Sequence, residues 1–192
     1  MKIFSALYER MMHWSRHPHA PWYLAGLSFA ESSFFPIPPD TMLAPMALAK
    51  PERAWRYAGL TTLMSVLGGI FGYILGMYFF TVIEPLLHSM NLWDAFLMVK
   101  EKFAIYGFWF IFLAGFSPIP YKVFTIGAGV VGMVFLPFVL ASIVGRGGRF
   151  FLVAALMAWG GERMEHSLRR YVDIMGWILV VVILLVYFIF RG

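Results

Sequence analysis

The chain alternates between long and short apolar stretches, which are separated by polar or proline-rich breaks. A helix needs about 17–25 mostly apolar residues to cross a bilayer. Three stretches are long enough, and they predict membrane-spanning helices. They are residues 57–83, 137–160 and 174–190, the second interrupted by Gly145-Arg146-Gly147-Gly148-Arg149.

Two shorter stretches, residues 22–35 and 40–49, flank a break at Pro36-Ile37-Pro38-Pro39. Each proline removes a backbone donor and clashes with the preceding helical turn, so no helix continues through this break. A helix over residues 40–49 is only about 15 Å long, which is half the thickness of the hydrocarbon layer. We therefore expect a re-entrant hairpin that enters the membrane, breaks and returns.

The same pattern recurs in the second half of the chain. Pro118-Ile119-Pro120 lies 82 positions after Pro36-Ile37-Pro38 and breaks the apolar stretch 103–135, while Ser65–Gly68 parallels Ser142–Gly145 at 77 positions. Each half then consists of a broken hairpin followed by a glycine-bearing span. In transporters, such repeats with broken helices place the binding site near the bilayer midplane. The predicted fold class is an all-α integral membrane protein built on an inverted repeat.

A stripe of glycines marks the first span. Gly68, Gly72 and Gly76 recur every four residues, so they share one helix face. Small residues on one face let another helix approach closely. The stripe serves either a contact within the chain or a homo-oligomer, and both remain open.

These patterns divide a single membrane domain into five segments. The N-terminal segment contains an amphipathic helix over residues 3–15, which we expect to lie in the membrane interface. The segments are 1–21 (interfacial), 22–83 (repeat one), 84–102 (polar linker), 103–161 (repeat two) and 162–192 (basic loop and C-terminal span).

Composition supports a membrane protein. The chain is 61% hydrophobic and only 13% charged, whereas soluble domains are nearer half apolar and one quarter charged. There is no cysteine, which excludes a disulfide framework and thiolate chemistry. No cleaved signal peptide is expected, because no apolar core with a small-residue cleavage site precedes Pro18.

The net charge of +5 comes from basic residues in short loops beside apolar stretches, which is the membrane pattern and not that of a nucleic-acid-binding protein. The N-terminus and the loops 50–56 and 162–170 are basic, and 84–102 is acidic. The positive-inside rule then places the N-terminus in the cytoplasm. We expect a multi-pass protein of a bacterial-type inner membrane.

Five ionisable residues fall inside apolar stretches, where each costs about 2.5–3.5 kcal/mol and usually pairs or faces a wet cavity. We interpret Arg146, Arg149 and Lys122 as a site for an anionic phosphate group, which guanidinium binds through two hydrogen bonds. Glu31 and Asp40 then balance charge or carry protons. Alternatively, Arg146 and Arg149 only pair with these carboxylates, Asp40 caps a helix, and Lys122 pairs with Asp40 or Glu31.

The run from Glu31 to Asp40, ESSFFPIPPD, resembles the first signature of the DedA (VTT-domain, SNARE-associated) membrane proteins. Gly115–Thr125, GFSPIPYKVFT, resembles the second signature in the form of the YqaA-like branch, and residues 145–149 resemble a third feature. This resemblance implies two hairpins that meet within the membrane and lipid translocation, of undecaprenyl phosphate or phospholipids. Many members have arginines within the second motif, where this chain has Phe116 and Lys122.

We expect a membrane lipid transporter of the flippase or scramblase type, with membrane lipids as partners and without a cofactor or metal. Pro36, Pro38, Pro39, Pro118 and Pro120 would form its hairpin breaks. No hydrolase, metalloprotease or P-loop motif is present, so an enzyme is not expected. The alternatives are a proton-coupled transporter of a small ion or cationic compound, contributing to proton-motive-force homeostasis, and a non-transport assembly factor.

Overall fold

A computed structural model describes residue 17 and residues 19–33, 37–117 and 120–160. These residues form an all-helical fold and include no β-strand. The predicted interfacial helix, Pro36, Pro118 and the predicted C-terminal span lie outside the described residues. The helices are α1 (Ala20–Ser33), α2 (Asp40–Ala49), a 3₁₀ turn (Pro51–Arg53), α3 (Ala54–Ser89), α4 (Trp93–Phe116), α5 (Tyr121–Val131) and α6 (Phe135–Gly160).

The short helix predicted after the first proline break is present with the predicted bounds. Asp40 is the first residue of α2, and Pro39 occupies the position before it. Proline is tolerated at a helix start, where a donor has no partner within the helix. At the second break, α4 ends at Phe116 and α5 begins at Tyr121.

The predicted polar linker, residues 84–102, is mostly helical. The first span does not end at residue 83, since α3 continues through Pro85 to Ser89 and α4 begins at Trp93. Only a turn at residues 90–92, with Asn91 at a positive φ of 55°, separates the two helices. The charged residues that suggested a linker lie on these helices. Asp94, Lys100 and Glu101 are exposed and Glu84 is partly buried; an exposed charge does not interrupt a helix.

The run Gly145–Arg149 does not interrupt the second span either, because α6 is helical throughout. Buried apolar residues form two clusters along this helix. The first cluster joins α1, α2, the start of α3 and the later part of α6. Its members include Leu24, Leu43, Ala58, Phe150 and Ala154. The second cluster joins the middle of α3, α4, α5 and the early part of α6. Its members include Tyr73, Ile111, Tyr121, Ala128 and Phe138.

The glycine stripe of α3 serves contacts within the chain. A Cβ atom at Gly68 would clash with the carbonyl of Phe29 on α1, and one at Gly76 would clash with the carbonyl of Ile126 on α5. Gly72 lies between them, where a Cβ would come 2.6 Å from the hydroxyl of Thr125. Helix α3 therefore lies with its backbone against α1 and α5, and glycine is needed because any side chain would separate these helices.

Two of the described helical segments are long and apolar enough to cross a membrane, Pro51–Ser89 and Phe135–Gly160. Their most apolar windows are only 33% and 39% buried, whereas the core helix of a soluble protein would be mostly buried. Large apolar side chains such as Leu63 (58% exposed), Tyr78 (75%) and Trp159 (79%) project outward. Lipid accounts for this exposed apolar surface.

Candidate functional site

The charged residues predicted from the sequence meet between the two apolar clusters. Arg146 and Arg149 project from the same face of α6, one helical turn apart, as their spacing predicts. Glu31 lies near the end of α1 and Asp40 is the first residue of α2. One carboxylate therefore lies on each side of the first proline break, and each carboxylate pairs with one arginine of α6.

Arg146 forms an ion pair with Glu31, through Nη2 and Oε2. Its Nε donates a hydrogen bond to Ser65 Oγ at 2.5 Å, and Ser65 Oγ lies 2.7 Å from Ser32 Oγ. The side chain of Arg146 is 3% exposed and that of Glu31 is 13% exposed. The pair and its two serines therefore form a polar network that is almost closed to solvent.

Two aromatic rings enclose the Arg146 guanidinium. Its Cζ lies 4.9 Å from the ring centre of Tyr121 and 4.6 Å from that of Phe150. A cation over the face of an aromatic ring is stabilised by the ring quadrupole, more so when water is excluded. Phe150 belongs to the first apolar cluster and Tyr121 to the second, so Arg146 holds the two clusters together.

Arg149 bridges the two proline breaks. Its Nε and Nη2 donate hydrogen bonds to Asp40 Oδ2 at 3.1 and 2.5 Å, and its Nη1 donates to the carbonyl oxygen of Ser117. Ser117 is the residue that follows α4. The side chains of Arg149 and Asp40 are 20% and 22% exposed, so this pair lies closer to solvent than Arg146 and Glu31.

Two buried oxygen atoms beside Arg149, Asp40 Oδ1 and Ser117 Oγ, have no hydrogen-bond partner within the part of the chain that the structure describes. Buried polar groups are nearly always hydrogen-bonded, and an unpaired one costs about 1–3 kcal/mol. Both atoms belong to residues that the Arg149 guanidinium already contacts. The polar groups around Arg149 are therefore not saturated by the protein.

Lys122, the third predicted cation, is the second residue of α5 and is partly buried. It follows Tyr121, whose ring packs on Arg146. The second break therefore places Lys122 next in the chain to a residue that encloses Arg146. The partner predicted for Lys122, Asp40 or Glu31, stays a prediction, as does its role in phosphate binding.

The structure corrects one detail of the sequence interpretation. Asp40 does not cap α2, because its Oδ2 accepts from Arg149 and its Oδ1 is unpartnered among the described residues. A glycine beside the arginines has a packing role. A Cβ at Gly145 would lie 2.7 Å from the carbonyl oxygen of Phe112, so this glycine permits close packing of α6 on α4.

Sequence reasoning missed several residues that complete the site. Ser32 and Ser65 bind the Arg146 pair, Tyr121 and Phe150 enclose it, and Ser117 binds Arg149. The repeat contained a signal for one of them, since Ser65 corresponds to Ser142, and Ser142 Oγ accepts a hydrogen bond from Tyr121 at 2.5 Å. The two serines occupy equivalent positions and both orient a residue of the site.

An all-helical fold with two largely exposed apolar helices that are long enough to cross a bilayer indicates a membrane protein. The model of the VTT domain matches residues 35–159, which covers the short helices α2 and α5 that follow the breaks and most of α6. The chain therefore belongs to the VTT-domain, or DedA, family. Membership of this family indicates a transporter-like function in a membrane.

Full-length relatives have the same extent as this chain. A protein of Haemophilus influenzae is 45% identical over 192 residues, and a protein of Histophilus somni is 42% identical over 191 residues. Each alignment covers 100% of both chains, and both relatives are described as uncharacterised. No solved structure matches the chain significantly.

Proposed function

We propose that this protein moves a lipid with an anionic phosphate head group between the leaflets of a bacterial-type inner membrane. The observation that carries the proposal is the presence of two ion pairs, Arg146–Glu31 and Arg149–Asp40, between the two apolar clusters. Together with the contact of Arg149 with Ser117, they join both proposed hairpins to α6. Buried ion pairs are a poor source of stability, because desolvation offsets their attraction. Charges at membrane depth usually belong to a transport pathway instead.

The apolar clusters support two re-entrant hairpins. The first cluster contains Ala20, from the start of α1, with Ala47 and Ala54, from the end of α2 and the start of α3. The two ends of the first hairpin therefore lie on the same side of the proposed membrane. At 14 and 10 residues, α1 and α2 are about 21 and 15 Å long, too short to cross about 30 Å of hydrocarbon.

The second cluster supports an inverted arrangement of the two halves. It contains Val131 and Phe138, from the end of α5 and the start of α6, with Phe103 of α4 packed against it. Helix α3 starts in the first cluster with Ala54 and reaches the second with Tyr73. The two hairpins then enter from opposite sides, and positive loops place the first on the cytoplasmic side.

The close contacts follow the same repeat. Ser33 donates to the carbonyl oxygen of Gly68 at 3.0 Å. A Cβ at Gly115, 82 positions after Ser33, would lie 3.4 Å from the Cα of Gly145, which is 77 positions after Gly68. Equivalent positions of each hairpin thus touch equivalent positions of the following span. Two alternative packings of one half against the other would give alternating access to a central site.

Charge favours an anionic substrate. The five predicted site residues have a formal charge of +1. Three are cations (Arg146, Arg149 and Lys122) and two are carboxylates (Glu31 and Asp40). A phosphate group can replace a carboxylate on a guanidinium, since both accept two parallel hydrogen bonds. Arg149 is the arginine that a head group reaches first, because it is more exposed than Arg146. In this proposal the protein is a transporter and not an enzyme.

The test is a leaflet-exchange assay with the purified protein in liposomes that contain a labelled polyprenyl phosphate and a labelled phospholipid. Arg149→Gln should slow lipid movement at least about tenfold, since hydrogen bonds to a charged group contribute about 1.5–3 kcal/mol. Arg56→Gln is the matched control, because Arg56 is exposed on α3 outside the site. Movement at the control rate in Arg149→Gln would contradict the proposal.

A second candidate is a proton-coupled transporter of a small cation. The unpartnered Oδ1 of Asp40 favours it, since a carboxylate oxygen without a hydrogen-bond partner is a suitable ligand for a small cation. The same liposomes with a pH gradient separate the candidates. Proton flux that depends on Asp40 and on an added cation, without movement of either lipid, would favour the second one.

A further inference from the structure

A cavity of about 230 Å³ lies beside α4. Its walls are one face of α4, the turn that follows α5 and the first residues of α6. Lys100 is the one charged residue among the described residues that line it. The apolar walls include Phe103, Phe108, Val131, Met133 and Pro137. Lys100 lies about 24 Å along α4 from the helix end at Phe116, so the cavity is separate from the buried charge cluster.

The sequence of α4 explains this wall of the cavity. Four lining residues share one helix face, because they recur at spacings of three and four positions. They are Lys100, Phe103, Ala104 and Phe108. Gly107 belongs to the same face, and a Cβ there would come 3.0 Å from the Sδ atom of Met133. The missing side chain at Gly107 therefore lets Met133 pack against α4 and form a second wall.

The wall opposite α4 is held by hydrogen bonds. Helix α5 is capped by Gly132, whose φ of 70° is left-handed, and the N–H of Met133 donates to the carbonyl oxygen of Ala128 at 2.9 Å. The hydroxyl of Tyr73 on α3 donates to the carbonyl oxygen of Met133 at 2.5 Å. The cavity is therefore built into the fold, as ligand pockets usually are.

The cavity lies near one end of the proposed membrane crossing. Pro137 is close to the start of α6 at Phe135, and α6 is long and apolar enough to cross a bilayer. Lys100 is nearer the turn between α3 and α4 than the other lining residues of its helix. Side chains tilt toward the N-terminus of their helix, and a lysine near a membrane surface extends its ammonium group toward the head groups. The charged end of the cavity therefore faces head groups, and its apolar part faces hydrocarbon.

A phospholipid with a net negative head group fits this arrangement. Val134 and Ile105, which also line the cavity, are 70% and 62% exposed, so a lipid can enter from the side. The volume is below the about 300–1,000 Å³ of sites that enclose a drug-sized ligand, and it suits a section of one acyl chain. A zwitterionic phospholipid offers the same chain, but its own ammonium group offsets the charge of its phosphate.

We propose that this cavity binds one anionic phospholipid, with an acyl chain against Phe103 and Phe108 and the phosphate at the ammonium group of Lys100. The bound lipid joins α4 to the turn between α5 and α6. The inference does not rest on the proposed transport, since a protein that moves no lipid can still hold one here.

The test counts lipid molecules on the full-length protein in detergent by native mass spectrometry. The protein is titrated with phosphatidylglycerol or with phosphatidylcholine of the same acyl chains. We expect the first phosphatidylglycerol to bind about fivefold more tightly, the effect of one lysine near an anionic surface. Lys100→Gln should remove this preference.

Lys102→Gln is the matched control, because Lys102 is exposed on the same helix and is not among the residues that line the cavity. It makes the same change in net charge two positions away, and positions two apart do not share a helix face. Equal affinity of the wild-type protein for the two lipids would overturn the proposal. So would the same effect of both substitutions, since lipid would then respond to the surface charge in general.

A second pair of variants tests the apolar wall. Ala104→Phe fills the cavity and should abolish tight binding of the first lipid, whereas Ala95→Phe should not, because Ala95 is exposed on α4 and is not among the lining residues. Unchanged binding in Ala104→Phe would contradict the proposal. A wild-type dimer that Ala104→Phe converts to monomers would show that a second copy occupies the cavity, and the proposal would fail. If Ala104→Phe does not fold, the two lysine variants still decide the outcome.

Discussion

The two arginines of α6 are one helical turn apart, yet their surroundings differ. Arg146 is 3% exposed, is enclosed by two aromatic rings, and binds Glu31 and two serines. Arg149 is 20% exposed and binds Asp40 and a carbonyl oxygen, beside two buried atoms without described partners. From this difference we expect the Arg146 pair to respond to substitution through stability, and the Arg149 pair to be the one that a head group reaches in the proposed transport.

Desolvation explains the two roles. A closed ion pair cannot exchange partners unless the clusters on both sides move apart, because water must enter first. A partly exposed pair rearranges at lower cost, since water replaces each lost hydrogen bond. In the proposed transport, exchange of Asp40 for a head group at Arg149 would therefore disrupt the fold less than an exchange at Arg146.

The largest expected difference between the pairs is in stability. Arg146→Met should leave Glu31 buried without its partner and destabilise the protein by about 3–5 kcal/mol. Arg149→Met should cost clearly less, because Asp40 retains contact with solvent. The readout is the temperature at which half of the detergent-solubilised protein remains monodisperse.

Removal of both partners provides the control. In the variant Arg146→Met with Glu31→Leu, no buried charge remains, and replacement of a buried ion pair by apolar residues is often neutral or stabilising. The double variant should regain most of the lost stability. Equal destabilisation by Arg146→Met and Arg149→Met would contradict the division between the two pairs.

Sequence reasoning predicted the helices best where proline defines their ends. The start of α2 at Asp40 follows from three prolines in four positions, and its end precedes Lys50-Pro51. It did not predict that helices continue into residues 84–102, where α3 reaches Ser89 and α4 begins at Trp93. Glycine weakens an isolated helix by about 1 kcal/mol each, yet α6 is helical through Gly145–Arg149, and Gly145 permits close packing on α4.

The candidate site was predictable as a set of residues and not as a set of contacts. Charges in apolar stretches identified Glu31, Asp40, Arg146 and Arg149, because such charges are costly in lipid. Which carboxylate pairs with which arginine depends on the axial position of α6 relative to α1 and α2. Sequence spacing does not determine that position. The same holds for Ser117, whose contact with Arg149 bridges 32 positions.

A smaller effect tests how α6 holds Arg146 in place. A Cβ at Gly145 would meet the backbone carbonyl of Phe112 at 2.7 Å, while a Cβ at Gly147 would lie 3.5 Å from the Thr62 side chain, an ordinary contact. Gly145→Ala should therefore destabilise the protein by about 1–3 kcal/mol, the usual cost of overpacking. Gly147→Ala is the matched control and should be neutral or slightly stabilising, because alanine favours helix.

The position of Gly145 next to Arg146 gives this pair of variants a second readout. A shift of α6 away from α4 should loosen the Arg146–Glu31 pair before the more exposed Arg149–Asp40 pair. Proteolysis or hydrogen exchange around Glu31 should then increase more than around Asp40. Equal increases at both carboxylates would show that the two pairs respond as one unit.

The smallest expected effect concerns the serine that completes the closed pair. Ser65→Ala removes the acceptor of Arg146 Nε and the partner of Ser32, and it should lower stability by about 1 kcal/mol, the net value of a typical hydrogen bond. Thr81→Ala on the same helix is the control, because Thr81 is exposed and donates only to the carbonyl of Tyr78. If Arg146 is a structural residue, Ser65→Ala should leave the rate of lipid movement in liposomes unchanged at temperatures well below melting. If Ser65→Ala slows lipid movement by more than the loss of folded protein explains, Ser65 and Arg146 take part in the transport step. The two arginines would then differ in burial and not in role.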